Sequence, residues 1–397
     1  MDPPKYTTLV AALMALLDPR QARGKRYAWI LLLILIAIAI ASGQRTVHAI
    51  ADWISLHWED LQAELHPARV TCPSESTFRR VLRLIDPQQL DDLLSCLEPE
   101  PIPALPVEPP PLSLPLTAPS SELPLQAQAV DGKALRGAQA HGEKVHLVSL
   151  VRHTDAMTEG QMAVAEKSNE ITAVPKLLAD RDLTGTVTTM DALLTQRGLA
   201  QQILDQQGHY LMIVKANQPE LFQAIQLLFA CPPWTSSERV SEYDVHTTEN
   251  KGHGRLERRT LESSITLNSY LDWPGVGQVM RRTCRRISRK TGVVSEEATY
   301  GITSLTRRQA DAKRLEAIWR GHWTIENRVH YVRDVTFGED ACQVHAGNAA
   351  RVLATLRNAI LNLLRRLGWN NISDALRHYA AKLRYSLGLI GYQQARL

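Results

Sequence analysis

Prolines are concentrated in one stretch of this chain, and that stretch limits how the rest can fold. The segment from Glu98 to Leu125 holds 10 of the 21 prolines, three of them consecutive at 109–111. Proline fixes φ and lacks a backbone N–H, so such a segment cannot continue a helix or a central strand and is typical of an extended spacer. The sequence therefore predicts two folded regions joined by a linker at residues 98–125.

Charge is unevenly divided between these regions. Of 45 Lys/Arg and 41 Asp/Glu residues, the first 125 positions hold 10 and 14, which leaves 35 and 27 for the remainder. A polyanionic partner should therefore contact mainly the later region. The five cysteines are scattered without a CxxC pair, which favours a reducing compartment and argues against a zinc ribbon or a disulfide scaffold.

Residues 1–97 are predicted to form a helical domain. The periodicity and the turn signals between segments indicate helices at Tyr6–Leu17, Tyr27–Ala41, Val47–Trp58, Ser74–Leu84 and Pro87–Leu97. The run Tyr27–Ala41 is apolar enough to suggest a membrane span, but its 15 residues make about 23 Å of helix, short of the ~30 Å hydrocarbon core. We favour a buried bundle helix, no membrane association and a cytoplasmic location.

Beyond the linker, residues 126–231 alternate between strand and helix patterns, which predicts a mixed sheet covered by helices. The predicted strands are Ala127–Val130, Val145–Arg152, Met162–Ala165, Thr186–Met190 and His209–Val214. Asp131 and Asp191 each follow an apolar run, and ligands of open α/β sheets bind at the carboxyl ends of strands. Asp131-Gly132 is also a turn signal by itself, so the aspartates indicate chemistry only together with a further acid.

Residues 232–311 are rich in turns and alternate in polarity, which predicts a β-rich insertion with hairpin tips near 250–254 and 290–292. On one strand His253, Arg255, Glu257 and Arg259 would share a face. A basic ribbon follows at Arg281, Arg282, Arg285, Arg286, Arg289 and Lys290. Phosphate contact and a merely solvated face are both open interpretations of these charges.

Residues 312–397 are predicted to be helical. Apolar positions recur at helical spacing from Leu315 to Asp340, which would align His322, Glu326, His330 and Asp334 in one polar column. Such a column can bind metal or move protons, although a solvated face is the commoner explanation. Two more helices are expected at 349–367 and 372–387.

Asp131, Asp191 and Glu326 together would supply the oxygen ligands that a pair of Mg²⁺ ions needs. Two such ions can bind the attacking and leaving oxygens of a phosphoryl transfer, and the basic surface would hold a phosphodiester.

Five ordered motifs now identify a family resemblance. They are VDGKALRG (130–137), TMDALLTQ (189–196), YLMIVKANQPEL (210–221), KGHGRLERR (251–259) and RGHWTIENRVHYVRDVTFGEDAC (320–342). This set resembles the bacterial insertion-sequence transposases of the H-repeat-associated (ISAs-type) group, part of the DDE superfamily, along nearly the whole chain.

The resemblance implies an RNase H-like catalytic core with Asp131, Asp191 and Glu326 as a metal-binding triad. It also implies Mg²⁺, with Mn²⁺ as a substitute and two ions per site. The implied partners are double-stranded DNA with terminal inverted repeats, target DNA and a second copy of the chain, at the bacterial nucleoid. The residues expected to contact DNA are Lys133, Arg136, Lys215, His253, Arg255, Arg259, Trp319, Asn327, His330 and Arg333.

Within that set, Trp319 is expected to stack on a base and Arg333 to contact phosphate, while Asn327 and His330 would orient Glu326 or the DNA. His322 departs from the arginine that related groups carry at this position. Two other functions are consistent with the same residues: a non-mobile RNase H-like nuclease, and an inactive or domesticated copy that only binds DNA. Strand-transfer assays on terminal-repeat DNA separate these from a transposase.

Overall fold

The computed structural model describes residues 5–98, 125–140, 143–164, 169–232, 242–252, 254–344 and 347–392. The predicted linker at 98–125 lies almost entirely outside the described residues. The α-helices are α1 (Leu9–Met14), α2 (Trp29–Ala41), α3 (Val47–Leu56), α4 (Trp58–Leu65), α5 (Glu75–Leu84), α6 (Pro87–Ser95), α7 (Glu170–Leu178), α8 (Arg197–Asp205), α9 (Pro219–Ala230), α10 (Ala312–Gly321), α11 (Ala349–Arg366), α12 (Ile372–Ala380) and α13 (Leu383–Leu389).

The strands are β1 (Gln126–Ala140), β2 (Glu143–Arg152), β3 (Thr158–Ala163), β4 (Thr186–Met190), β5 (His209–Val214), β6 (Tyr243–Gly252), β7 (Arg255–Ser264), β8 (Gln278–Ser288) and β9 (Val294–Thr303). They form one sheet in the order β3-β2-β1-β4-β5-β9-β8-β7-β6. The first three strands are antiparallel, whereas β4 and β5 run parallel to β1. This 3-2-1-4-5 order is that of an RNase H-like core, so the predicted fold class is confirmed.

The β-rich insertion is an antiparallel extension of the same sheet. Strands β6 to β9 pair in sequence, and β9 then pairs with β5 of the core. The two hairpin tips carry Gly254 at φ +72° and Gly292 at φ +69°, a left-handed conformation that suits glycine. The insertion is therefore attached to the core through a continuous hydrogen-bonded sheet.

The helices before the linker share a hydrophobic core with the last helices of the chain. Apolar side chains of α2 pack with those of α11, α12 and α13 in one cluster. Helix α2 is apolar on all sides, and 11 of its 13 residues are buried, as the interpretation of a bundle helix predicts. Among the described residues, no helix combines the length and apolar character needed to cross a bilayer.

Two sequence predictions about individual elements are wrong. Strand β1 does not end at Asp131 and Gly132 but continues to Ala140, because its later residues still pair with β2. The predicted long helix is α10 followed by two π-helical segments, Ile325–His330 and Val332–Thr336. Within this π-helical region Glu326 and His330, four positions apart, still contact each other, and His322 one turn earlier bonds to Thr189.

Candidate active site

Asp131 and Asp191 lie side by side at one edge of the parallel part of the sheet. The parallel pairing of β1 with β4 ends at Val130 opposite Met190. Asp131 is the next residue of β1, and Asp191 is the first residue after β4. Asp191 also accepts a hydrogen bond from the Leu194 backbone N–H at 3.1 Å, which fixes the turn that follows β4. The sheet register therefore places the two carboxylates together, although 60 positions separate them in sequence.

Glu326 approaches the same edge from the first π-helical segment. Nδ1 of His330 lies 3.2 Å from Oε2 of Glu326 and 3.6 Å from Oδ2 of Asp131. One ligand atom each from Asp131, Glu326 and His330 falls within 4.8 Å of the others. Asp191 is not a member of this group of three, so the structure divides the predicted triad into a tight cluster and an adjacent acid.

Asp131 is the electrostatic centre of the site. Burial, followed by the charges of Glu170, Asp191 and Glu326, raises the pKa of Asp131 to about 7. Its carboxylate therefore retains a proton near neutral pH unless a cation compensates it. Carboxylate oxygens are hard ligands that suit Mg²⁺ or Mn²⁺, so these side chains fit a divalent ion.

Glu170, the first residue of α7, is a fourth acid at the site that the sequence interpretation missed. Its carboxylate lies against the backbone of Gly132, where an added Cβ would come within 1.9 Å of Oε1. Burial and then the charge of Asp191 raise the pKa of Glu170. A glutamate in the first turn of a helix is so common that its sequence position alone gives no functional signal.

The buried Thr189 and the half-buried His153 and His322 form a hydrogen-bonded group beneath the strand end. The Thr189 hydroxyl donates to the Gln128 carbonyl at 3.1 Å, so His322 Nδ1–H and His153 Nε2–H donate to Thr189 at 2.9 and 3.1 Å. Burial lowers the pKa of His322, and it lowers the pKa of His153 to about 3, which keeps both rings neutral. His322 is therefore a structural partner of β4.

Arg333 lies in a buried ionic network, so the prediction that it contacts DNA phosphate is wrong. Its side chain is fully buried and its Nη2 lies 2.7 Å from Glu339, which also pairs with Arg357 at 3.3 Å. Arg333 donates a further hydrogen bond to Gln161 of β3 at 3.1 Å. Its charge is used to fix the π-helical segment against the sheet and α11.

Trp319 cannot stack on a base as predicted, because only 2% of its surface is exposed and its ring packs on Gly301 of β9. The exposed aromatic residue of this region is Trp323, at 57% exposure, three positions before Glu326. Asn327 is exposed next to Glu326. Sequence periodicity assigned both tryptophans to one buried stripe, and only Trp319 belongs there.

The other predicted DNA contacts near the site differ in accessibility. Lys133 is buried, with its Nζ against Asp334 and 3.8 Å from Asp340, and His330 is 2% exposed. Neither side chain is free to reach DNA.

Two other predicted contacts are accessible. Arg136 lies 3.6 Å from Asp340, but its side chain is 77% exposed. Lys215, just after β5, is exposed at the same sheet edge as Asp191.

The insertion carries fewer free cations than its sequence suggests. Arg259 is largely buried and bound to Glu257, which also pairs with Arg286 at 2.9 Å and Arg255 at 3.5 Å. Arg259 is therefore held in an ion pair and its DNA contact stays a prediction, whereas Arg255 is half-exposed. Arg285, Arg289 and Lys290 are exposed and make no ion pair within the described part of the chain, and His253 lies outside it.

Two family models and several known proteins match this chain. Residues 10–97 match the family model described as DDE_Tnp_1-associated, and residues 122–363 match the one described as Transposase DDE domain. "Putative transposase YncI" of Escherichia coli O157:H7 is 32% identical over 242 residues, 60% of this chain and 61% of that protein. "H repeat-associated putative transposase YhhI" of Escherichia coli strain K12 is 29% identical over 242 residues, 59% of this chain and 63% of that protein.

The chain thus spans 61% to 63% of the length of these relatives. A solved structure of a piggyBac transposase synaptic complex with hairpin DNA aligns with 98% of this chain and 78% of that chain, with 9% identity and a TM-score of 0.44.

Proposed function

Because the chain belongs to the family of transposases with a DDE domain, we propose that it cleaves DNA at the ends of an insertion sequence and joins them to target DNA. The reaction is a metal-dependent phosphoryl transfer. One observation carries the proposal: Asp131 and Glu326 are 195 positions apart in sequence, yet they converge with His330 within 4.8 Å beside Asp191. Neighbouring carboxylates raise the pKa of Asp131, and a metal ion bound there would stabilise such an arrangement.

Asp131, Asp191 and Glu326 would hold Mg²⁺, or Mn²⁺ in its place, with two ions per site. Bound metal supplies an activated water or 3′-hydroxyl and stabilises charge on the leaving oxygen. The chain's own contribution is to bring the three carboxylates together from β1, from the end of β4 and from the π-helical segment.

His330 positions Glu326 in this proposal. Burial lowers the pKa of His330, so the ring is neutral and its Nδ1–H donates to Glu326. The same nitrogen lies near Asp131, which keeps the Glu326 carboxylate turned toward the strand end. Within the described residues, Nε2 of His330 has no hydrogen-bond partner and is enclosed by the core.

The DNA would lie along the edge where Lys215, Arg136, Asn327 and Trp323 are exposed. Exposed cations contact phosphates and an exposed aromatic ring stacks on an unpaired base. We propose double-stranded DNA with terminal inverted repeats and target DNA as substrates. We also propose a homodimer, since two element ends must meet, and activity at the nucleoid in the bacterial cytoplasm.

The test is cleavage of duplex DNA that carries the terminal repeats of the chain's own element, with and without Mg²⁺. Glu326→Gln preserves the shape of the side chain and removes its charge, so cleavage should fall on the order of 10³-fold. Glu59→Gln, an exposed first-turn glutamate of α4, is the matched control and should cleave like wild type. Equal cleavage by wild type and Glu326→Gln would refute the metal site, and cleavage without strand transfer would indicate a nuclease.

A further inference from the structure

Glu170 lies beside the proposed metal site, with its carboxylate against a glycine of β1. Its carboxylate occupies the space above Gly132, the residue that follows Asp131, and any side chain at position 132 would collide with it. Helix α7 therefore directs its first side chain at the backbone of β1, next to the aspartate. The absence of a side chain at Gly132 is what permits this close approach.

The carboxylate of Glu170 also lacks a compensating group. It is half-buried, yet within the described residues it makes no ion pair and accepts no hydrogen bond. Other buried acids of this protein are paired; Glu339, for example, lies between Arg333 and Arg357. Leaving an acid half-buried and unpaired costs folding free energy, which a bound cation would offset.

The acids of the site separate into two sets that share Asp131. Glu326 and His330 form the tight cluster with it, and that cluster contains neither Asp191 nor Glu170. Asp191 adjoins Asp131 through the register of β1 and β4, and Glu170, which lies against Gly132, is the charged neighbour with the largest effect on Asp131. Asp131 therefore belongs to both sets: Glu326 and His330 form what we call the Glu326 side, and Asp191 and Glu170 form the Asp191 side.

We propose that Glu170 is a fourth carboxylate ligand of the metal site and that it binds, with Asp131 and Asp191, the ion on the Asp191 side. This inference rests on the proposed function, because it assigns a further ligand to the same site. Four carboxylates carry four negative charges, which two divalent cations neutralise, whereas three leave the pair of ions with a net positive charge. Glu170 thus completes the charge balance of a two-ion site.

The experiment measures metal binding to the full-length chain without DNA, by titration with Mn²⁺ followed by electron paramagnetic resonance and calorimetry. Wild type should bind two ions per chain. Glu170→Gln should retain the ion on the Glu326 side and bind the other at least about tenfold more weakly. Glu59→Gln should match wild type, and circular dichroism verifies that each variant is folded.

The outcomes separate this inference from the proposed function. If Asp131→Asn binds Mn²⁺ as wild type does, the metal site itself is refuted. If Asp131→Asn loses both ions while Glu170→Gln keeps both at wild-type affinity, only the role of Glu170 is overturned.

Thermal unfolding gives a second readout that does not depend on activity. Without metal, Glu170→Gln should unfold at a higher temperature than wild type, because one uncompensated charge is gone. Saturating Mn²⁺ should then stabilise it less than wild type. An unchanged metal-induced shift in Glu170→Gln would contradict the inference, and Glu170→Asp, which keeps the charge, should recover part of the shift.

Discussion

Asp131 and Arg333 both carry charges that the fold withdraws from water, yet their electrostatic surroundings are opposite. Around Arg333, each buried charge has a counter-charge: burial alone would raise the pKa of Glu339, but Arg333 and Arg357 hold it below its ordinary value. Asp131 instead has Glu170, Asp191 and Glu326 as charged neighbours, and burial and these charges raise its pKa. The first arrangement is compensated within the protein, whereas at Asp131 the effects of burial and of the neighbouring acids prevail.

The difference separates charges that stabilise the fold from charges that would serve the proposed reaction. The Arg333 network joins β3, the π-helical segments and α11, so it fixes the element that carries Glu326. Disturbing it should change stability first, and disturbing the Asp131 edge should change metal dependence first. Three measurements examine this contrast.

The largest effect should come from breaking the compensated network. Arg333→Met removes a fully buried guanidinium and leaves Glu339 with Arg357 alone, which should cost about 3–5 kcal/mol of unfolding free energy in urea. Arg136→Met is the control, because its exposed ion pair with Asp340 should be worth less than about 1 kcal/mol. If the two variants are equally stable, the network does not hold the segment.

A smaller effect should appear in the pH dependence of the metal-free protein. The pKa of Asp131 is raised to about 7, so between about pH 4 and pH 7 the folded state keeps a proton that the unfolded state has released. Stability should therefore fall as pH rises through this window, by about 1–2 kcal/mol after allowance for solvent screening.

Urea unfolding at pH 5 and pH 8 measures this loss in wild type and Asp131→Asn. The variant should lose less stability, while Asp91, whose pKa burial raises to about 6, contributes to both proteins alike. Mg²⁺ at pH 8 should restore wild type but not the variant. If Asp131→Asn has the same pH profile of stability as wild type, Asp131 is not the source of the pH dependence.

The smallest effect concerns cations at the surface. Lys215→Ala should weaken DNA binding and reduce the slope of log affinity against log salt by about one, because an exposed lysine contacts a single phosphate. Arg259→Ala should leave that slope unchanged, since its guanidinium is bound to Glu257. Equal slopes for the two variants would mean that accessibility does not decide which cations meet DNA.

Much of the fold could be predicted from sequence because its signals are local. Strands β4 and β5 have the predicted bounds, since short β-branched or apolar runs between turn residues leave little choice. The adjacency of Asp131 and Asp191 also followed from the general rule that the carboxyl ends of parallel strands meet.

The errors arose where side-chain direction depends on tertiary packing. The predicted α-helix is π-helical beyond Thr324, and His322 bonds to Thr189, a partner that its position in the sequence does not reveal. Trp319 and Trp323 have the same residue type and similar spacing, but only packing against Gly301 decides which is buried. Glu170 had no signal at all, because its significance depends on the space above Gly132.

The shared core of the first and last helices has a consequence for synthesis on the ribosome. The hydroxyls of Ser42, at the end of α2, and Ser386, in α13, are hydrogen-bonded across 344 positions of sequence. The strongly apolar α2 is thus translated early, next to α1 and α3, but the part of its surface that α11, α12 and α13 cover stays open until those helices have emerged. During most of translation α2 therefore exposes part of its hydrophobic surface, and we expect the nascent chain to need chaperones. A truncated product that ends before α11 would keep this surface exposed and should be prone to aggregation.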